Sequence, residues 1–164
     1  MKEQKRVILC GPTASGKDFI KNKFKEKGFK VDVSYTTREP REGEVNGVDY
    51  NFLTKKQFQV RLDYEFMYEC VSYGDDLYGT GLTEWNNCDI FIMETNGIGH
   101  VEPKDRKDCL IIYVNTPLDV RMKRMKERGW DNGKILERIK IDEKKFKDFK
   151  DYDFGISSVN TNEI

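Results

Sequence analysis

Apolar residues fall in short runs set between amphipathic stretches. Val7-Ile8-Leu9-Cys10 is continuous, too short for a helix and closed by a glycine-rich turn, which predicts a buried strand. From Asp18 to Lys27 the period changes: Phe19, Ile20 and Phe24 form one stripe among charged residues, so a helix follows the turn. Ile90-Phe91-Ile92-Met93, Leu110-Ile111-Ile112-Tyr113-Val114 and Phe154 to Val159 read as further strands, and Pro117 to Arg128 and Lys134 to Phe149 as helices. Unbroken apolar runs mark strands covered on both faces, and their alternation with helices predicts an α/β fold with a parallel sheet flanked by helices. Between Ser34 and Thr80 the texture shifts to glycine, tyrosine and charge, with short strand-like pieces at Val48 to Leu53 and Phe66 to Tyr73. This stretch reads as an insertion carrying a site. No repeat or low-complexity linker divides the chain, so its parts are lobes of one domain.

Composition narrows the functions. The 164 residues are enough for a real core, and 29 Lys plus Arg balance 29 Asp plus Glu, which gives no support to a general nucleic-acid or membrane-surface role. Apolar runs are far shorter than the ~20 residues of a bilayer span, and the charged start, Met1 to Arg6, does not resemble a secretory leader. A cytoplasmic protein is expected. Cys10, Cys70, Cys88 and Cys109 lie far apart and read as reduced core residues, and His100 as the single histidine leaves no material for Ser-His triads or histidine zinc sites. Charge is unevenly placed, with nine acidic and no basic residues between Leu62 and Pro103, and twelve basic against six acidic from Arg121 to Lys150. One reading is solvated faces; the other is that the basic segment meets phosphate and the acidic one meets hydrogen-bond donors.

Gly11-Pro12-Thr13-Ala14-Ser15-Gly16-Lys17 has phosphate-loop spacing and lies between a predicted strand and a predicted helix, the context the motif requires. Glycines let backbone N–H groups converge on phosphate oxygens, the helix N-terminus adds its positive end, and Lys17 reaches the outer phosphates. After the lysine the motif calls for a Ser or Thr hydroxyl on magnesium, and here stands Asp18. Asp18 is read either as acting through the metal, directly or through a water, or as a first-turn helix residue favoured by the dipole.

The segment Ser34 to Phe52 is dense in chemistry: Arg38 and Arg41, three apart beside Pro40, can clamp one phosphate from two sides. With the phosphate loop, this segment resembles the guanylate kinase family over nearly the whole chain. The resemblance implies a P-loop NTPase-type parallel sheet with an inserted NMP-binding lobe and a helical lid: core 1–33, 81–120 and 150–164, GMP-binding lobe 34–80, lid 121–149. It also implies transfer of the γ-phosphoryl of ATP to GMP or dGMP with Mg2+, the substrates being small molecules and the protein a monomer or homodimer. By this resemblance the loop residues Gly11 to Asp18 take ATP, Ser34 contacts guanine, and Arg38, Arg41, Tyr50 and Tyr78 hold the GMP phosphate. The base-reading glutamate falls on Glu69 and its assisting hydroxyl on Thr80, with a solvated strand residue as the plain alternative for Glu69. Guanine supports the assignment, since its N1–H and N2–H donors suit one carboxylate, whereas adenine presents an acceptor at N1. Of two acidic residues that the family carries on the strand Ile90 to Met93, the second matches Glu94 and the first is replaced by Ile92. The exchange of that carboxylate for Asp18 on the loop is one hypothesis for the metal.

Arg121, Arg124 and Arg128 share a helix face, and Arg138 follows on the next helix. The resemblance makes Arg124, Arg128 and Arg138 lid arginines, with Lys17, Arg38 and Arg41, that neutralise the transferring group; Arg121 reads as a surface charge. Arg128-Gly129 reads as a helix end and hinge. The family continues beyond Ser158-Val159-Asn160 into a further helix, while this sequence ends at Ile164. Gly-Lys-Asp in the phosphate loop and Leu77-Tyr78-Gly79-Thr80-Gly81 are also compatible with ribose 1,5-bisphosphate phosphokinases. Another (deoxy)nucleotide kinase and a non-catalytic guanylate-kinase-like binding module complete the alternatives.

Overall fold

The structure, a computed structural model, describes residues 5–158. β1 (Arg6–Cys10) leads through the phosphate loop into α1 (Lys17–Glu26). The core sheet adds β6 (Ile90–Ile92), β7 (Cys109–Val114) and β8 (Phe154–Ile156), in the order β6-β1-β7-β8 with every pair parallel. Alternation along β1 feeds both faces. Ile8 and Cys10 join Phe91, Ile111, Met93 and Trp85 on one side; Leu9 and Val7 join Ile90, Val114 and the α1 residues Ile20, Phe19 and Phe24 on the other. The phosphate loop thus stands at the carboxyl edge of a sheet covered on both faces, where open α/β sheets bind ligands.

A second sheet, ordered β3-β2-β5-β4, is built from β2 (Tyr35–Thr36), β3 (Asn51–Phe52), β4 (Met67–Tyr73) and β5 (Asp76–Gly81). β5 runs antiparallel to both β2 and β4, while β3 pairs parallel with β2. The strand expected over Val48 to Leu53 is cut to Asn51–Phe52. Gly47 has φ 78°, and Val48 and Asp49 turn their N–H groups back to the Val45 carbonyl. Between β3 and β4 lies α2 (Lys55–Asp63), opened by a reciprocal capping box: Thr54 Oγ1 accepts from the Gln57 N–H at 3.1 Å and Gln57 Oε1 from the Thr54 N–H at 2.8 Å. Short helices α3 (Leu82–Asn87), α4 (Thr95–Gly99) and α5 (Pro103–Arg106) follow.

The basic segment folds as α6 (Leu118–Glu127) and α7 (Asn132–Phe146), joined through Gly129 at φ 77°. Met125, Ile135 and Ile139 pack with Ala14, so this helix pair lies on the phosphate loop itself. Arg121 is not the surface charge its sequence position implied. It is 8% exposed, donates from Nε to the Thr116 carbonyl at 3.1 Å and faces Asp142 of α7 at 3.5 Å, because its side of α6 is turned to the neighbouring helix. Val159 lies outside the described residues. Among the described residues no disulfide links the four cysteines, and no helix is long and apolar enough to cross a membrane.

Candidate active site

The phosphate loop is fixed from several sides. A Cβ on Gly11 (φ 154°) would stand 2.5 Å from the Val114 carbonyl oxygen, so only glycine lets the loop pass β7 this closely. Ala14 holds φ 60°, a left-handed position rarely taken by residues with a Cβ, and its carbonyl accepts from Arg124 Nη1 at 3.1 Å. Lys17 Nζ donates to the Gly11 and Pro12 carbonyls at 2.7 and 2.9 Å. Burial pulls its pKa below the ordinary lysine range, with Asp18 and Asp142 acting in the opposite sense. Asp18, in the first turn of α1, has its side chain 76% exposed, 3.9 Å from Lys21.

Glu69 is aimed by the β4–β5 ladder. A register shift between Met67 and Glu69 sets the intervening Tyr68 against Trp85, rings 3.8 Å apart, and leaves Glu69 opposite Thr80. Thr80 Oγ1 donates to Glu69 Oε1 at 2.9 Å, while Oε2 is buried without a partner. A Cβ on Gly97 of α4 would come within 3.0 Å of that oxygen. Burial raises the Glu69 pKa to about 7 against the Thr80 hydrogen bonds, with Asp32 and Glu94 pushing the same way as burial. Ser34 donates its hydroxyl to Asp32 at 2.5 Å, and burial lifts Asp32 to about 6. Glu94, the N-cap of α4, meets Lys145 of α7 at 2.5 Å.

Arg38 is held by Glu44 through two parallel bonds of 2.9 and 3.0 Å, and Glu44 also accepts the Arg41 backbone N–H at 2.7 Å. Burial works against the Glu44 carboxylate, but these contacts hold its pKa below the usual range. The Arg38 plane lies 5.4 Å from the Tyr50 ring and its Nε is buried without a partner. Arg41 lies over Trp130 at 5.6 Å, and burial, with Arg38 next, lowers its pKa. From the helix pair, Arg124 also reaches the Ser158 carbonyl at 2.6 Å. Arg138 donates from Nε to Thr13 Oγ1 and stacks on Tyr73 at 3.9 Å.

One cavity of about 330 Å³ gathers these groups. Of the residues that the sequence assigned to a nucleotide, Pro12 and Thr80 stay off its wall, Pro12 presenting its carbonyl to Lys17 and Thr80 standing buried beside Glu69; all the others, Arg128 included, line it. Asp32, Tyr73, Trp130, Asp142 and Lys145 complete the site and were not singled out from sequence. Asp142 and Lys145 were within reach of that reading, since they follow Arg138 by four and seven residues on one predicted helix and so share its face. Tyr73 and Trp130 carry no such signal, because lobe and helix pair bring them together only in three dimensions.

Comparisons with known proteins give the chain's family and fold. A family model described as guanylate kinase matches residues 3–164. A guanylate kinase of Streptococcus pneumoniae (strain ATCC BAA-255 / R6) is 32% identical over 161 residues, covering 92% of this chain and 77% of that protein. One of Enterococcus faecalis is 30% identical over 161 residues, covering 92% and 78%. Among solved structures, guanylate kinase from Anaplasma phagocytophilum superimposes with a TM-score of 0.72 at 20% identity, over 97% of this chain and 79% of that one, and so shares the fold.

Proposed function

The chain belongs to the guanylate kinase family and is an ATP-dependent nucleoside monophosphate kinase, and from that premise we propose how its own residues move the γ-phosphoryl of ATP onto GMP or dGMP. The observation that carries the acceptor assignment is Glu69, a buried carboxylate with one oxygen bonded to Thr80 and the other unpartnered in the cavity that also holds the phosphate loop. A purine edge presenting two adjacent donors satisfies that oxygen, and guanine has such an edge. Arg38, Arg41, Tyr50 and Tyr78 then take the GMP phosphate, with the unpartnered Arg38 Nε as one donor. Ser34 and Glu94 stand beside the base.

On the donor side, loop N–H groups from Gly11 to Asp18 and the Lys17 ammonium surround the ATP phosphates. A GMP phosphate oxygen attacks the γ-phosphorus, the bond to the β,γ-bridging oxygen breaks, and ADP leaves with that electron pair. No general base is required, because the nucleophile is already anionic. Lys17, Arg124, Arg128 and Arg138 neutralise charge spread over the moving group, and Arg38 and Arg41 offset the repulsion between the two nucleotides. The lid excludes water, which would otherwise hydrolyse ATP.

Asp18 fits a magnesium role: its carboxylate faces the cavity next to the phosphate loop, and Mg2+ in nucleotide sites needs only one or two protein carboxylates besides phosphates and waters. Bound with ATP, the ion screens the phosphate charge. Ile92, also on the wall, offers no oxygen, and in this reading Asp18 supplies the carboxylate from the loop instead. The same reading gives a cytoplasmic enzyme, monomeric or homodimeric, acting on small substrates in purine nucleotide metabolism.

Parallel assays of ADP formation with GMP, dGMP, AMP, dTMP and ribose 1,5-bisphosphate test the assignment. Turnover with GMP and dGMP is expected, and Glu69→Gln is expected to lower kcat/KM for both by about 10²-fold or more, as loss of a charged hydrogen-bonding partner does. Preference for ribose 1,5-bisphosphate or dTMP would replace the acceptor, and silence with every acceptor would favour a binding module.

A further inference from the structure

We propose that Asp142 is a positioning residue for phosphoryl transfer, which ties helix α7 to the phosphate loop and sets the orientation of the Arg138 guanidinium. It is 4% exposed, at a place where the neighbouring helix residues Ile135 and Ile139 pack by apolar contact alone. Its Oδ2 accepts the Thr13 backbone N–H at 2.9 Å, and its Oδ1 accepts the Thr13 hydroxyl at 3.2 Å. Arg121 of α6 approaches Oδ2 at 3.5 Å and Arg138 Nε approaches Oδ1 at 3.6 Å. The carboxylate thus joins the loop and both helices of the lid, and each of its oxygens faces one hydrogen-bond donor and one guanidinium.

A buried carboxylate carries a large desolvation penalty, which an apolar residue in the same place avoids. What the apolar residue lacks is direction. Arg138 donates to Thr13 Oγ1, Thr13 donates to Asp142, and Asp142 faces Arg138 again, which closes a ring of three residues. With its Nε edge in that ring and its plane on Tyr73, the guanidinium has one orientation before any nucleotide arrives. Preset donors lose least when charge develops on the transferring group. Arg121 helps hold the carboxylate, which accounts for a buried arginine that does not reach the cavity wall.

The proposal rests on Arg138 meeting the γ-phosphate. Its test is a double-mutant cycle of Asp142→Ala and Arg138→Ala, repeated with Asp142→Asn, which keeps one acceptor and nearly the same volume. Two quantities are read: kcat for ADP formation with GMP, and the ratio of ADP to ATP dissociation constants, which reports the γ-phosphate contact with no acceptor present. Expected are a fall in kcat of about 10- to 100-fold for Asp142→Ala with the GMP KM within about threefold, a smaller fall for Asp142→Asn, and a loss of ATP-over-ADP preference matching that of Arg138→Ala. In the Arg138→Ala background either Asp142 substitution should add less than about twofold, because a residue acting through another has nothing left to set. Effects that multiply, or an Asp142→Ala enzyme within twofold of the parent, overturn the proposal. If GMP is not the acceptor, the ATP/ADP cycle still decides the role of Asp142; if GMP turns over and the cycle is multiplicative, Asp142 fails and the acceptor reading stands.

Discussion

In the proposed base pocket, Glu69 makes opposite demands on stability and binding. Burial raises its pKa to about 7, and that of Asp32 to about 6, so the folded free protein keeps protons that the unfolded chain releases. The stability contributed by these two groups is full below the ordinary carboxylate range and is lost as the pH rises through about 6 and then about 7. Guanine needs the charged form, since N1–H and N2–H both donate. Between pH 6 and pH 8 the Glu69 contribution to GMP affinity should therefore rise about tenfold while the melting temperature of the free protein falls. The measurement is GMP affinity and melting temperature at each pH for the parent and Glu69→Gln; an identical pH dependence in the two would remove Glu69 from the base pocket. The resemblance and the chemistry of guanine singled out Glu69 in the sequence, and the structure buries it against Thr80 at the cavity. Asp32, two residues before Ser34, was not, because nothing local marks a carboxylate that a hydroxyl will hold inside the core.

The phosphate loop and its flanking strand and helix were readable at the element scale, because an unbroken apolar run, spaced glycines and a helical stripe all agree there. β5 was not read. Asp-Leu-Tyr-Gly-Thr-Gly has no apolar alternation and becomes a strand by lying between β2 and β4. α2 buries only Phe58, so its stripe is nearly absent, although Thr54 and Gln57 spelled out its start. Arg121 was misjudged for a related reason: helical spacing groups residues on a face without saying what the face meets. For the α6–α7 pair, proposed as a lid, loss of Arg128 or Arg138 should lower kcat by about 10²–10⁴ with a smaller change in ATP affinity, in line with other arginine clamps. Steady-state kinetics of the two alanine variants check this, and a rise in KM alone would assign them to binding.

At the scale of the whole molecule, the uneven charge of the sequence acquires a meaning. Glu69 and Glu94 from the acidic middle and Arg124, Arg128, Arg138 and Lys145 from the basic segment line the same cavity, with Glu94 and Lys145 in direct contact. Under the proposed assignment the carboxylate side takes the base and the guanidinium side the phosphates of two nucleotides. The sequence carried the charges but not their convergence, which depends on a second sheet and a helix pair closing on one loop. The most direct test is phosphorus NMR of the purified protein with ATP, Mg2+ and GMP. The account predicts that GDP and ADP appear in equal amounts and that AMP in place of GMP gives little product; ADP without GDP, or no consumption of ATP, would contradict it.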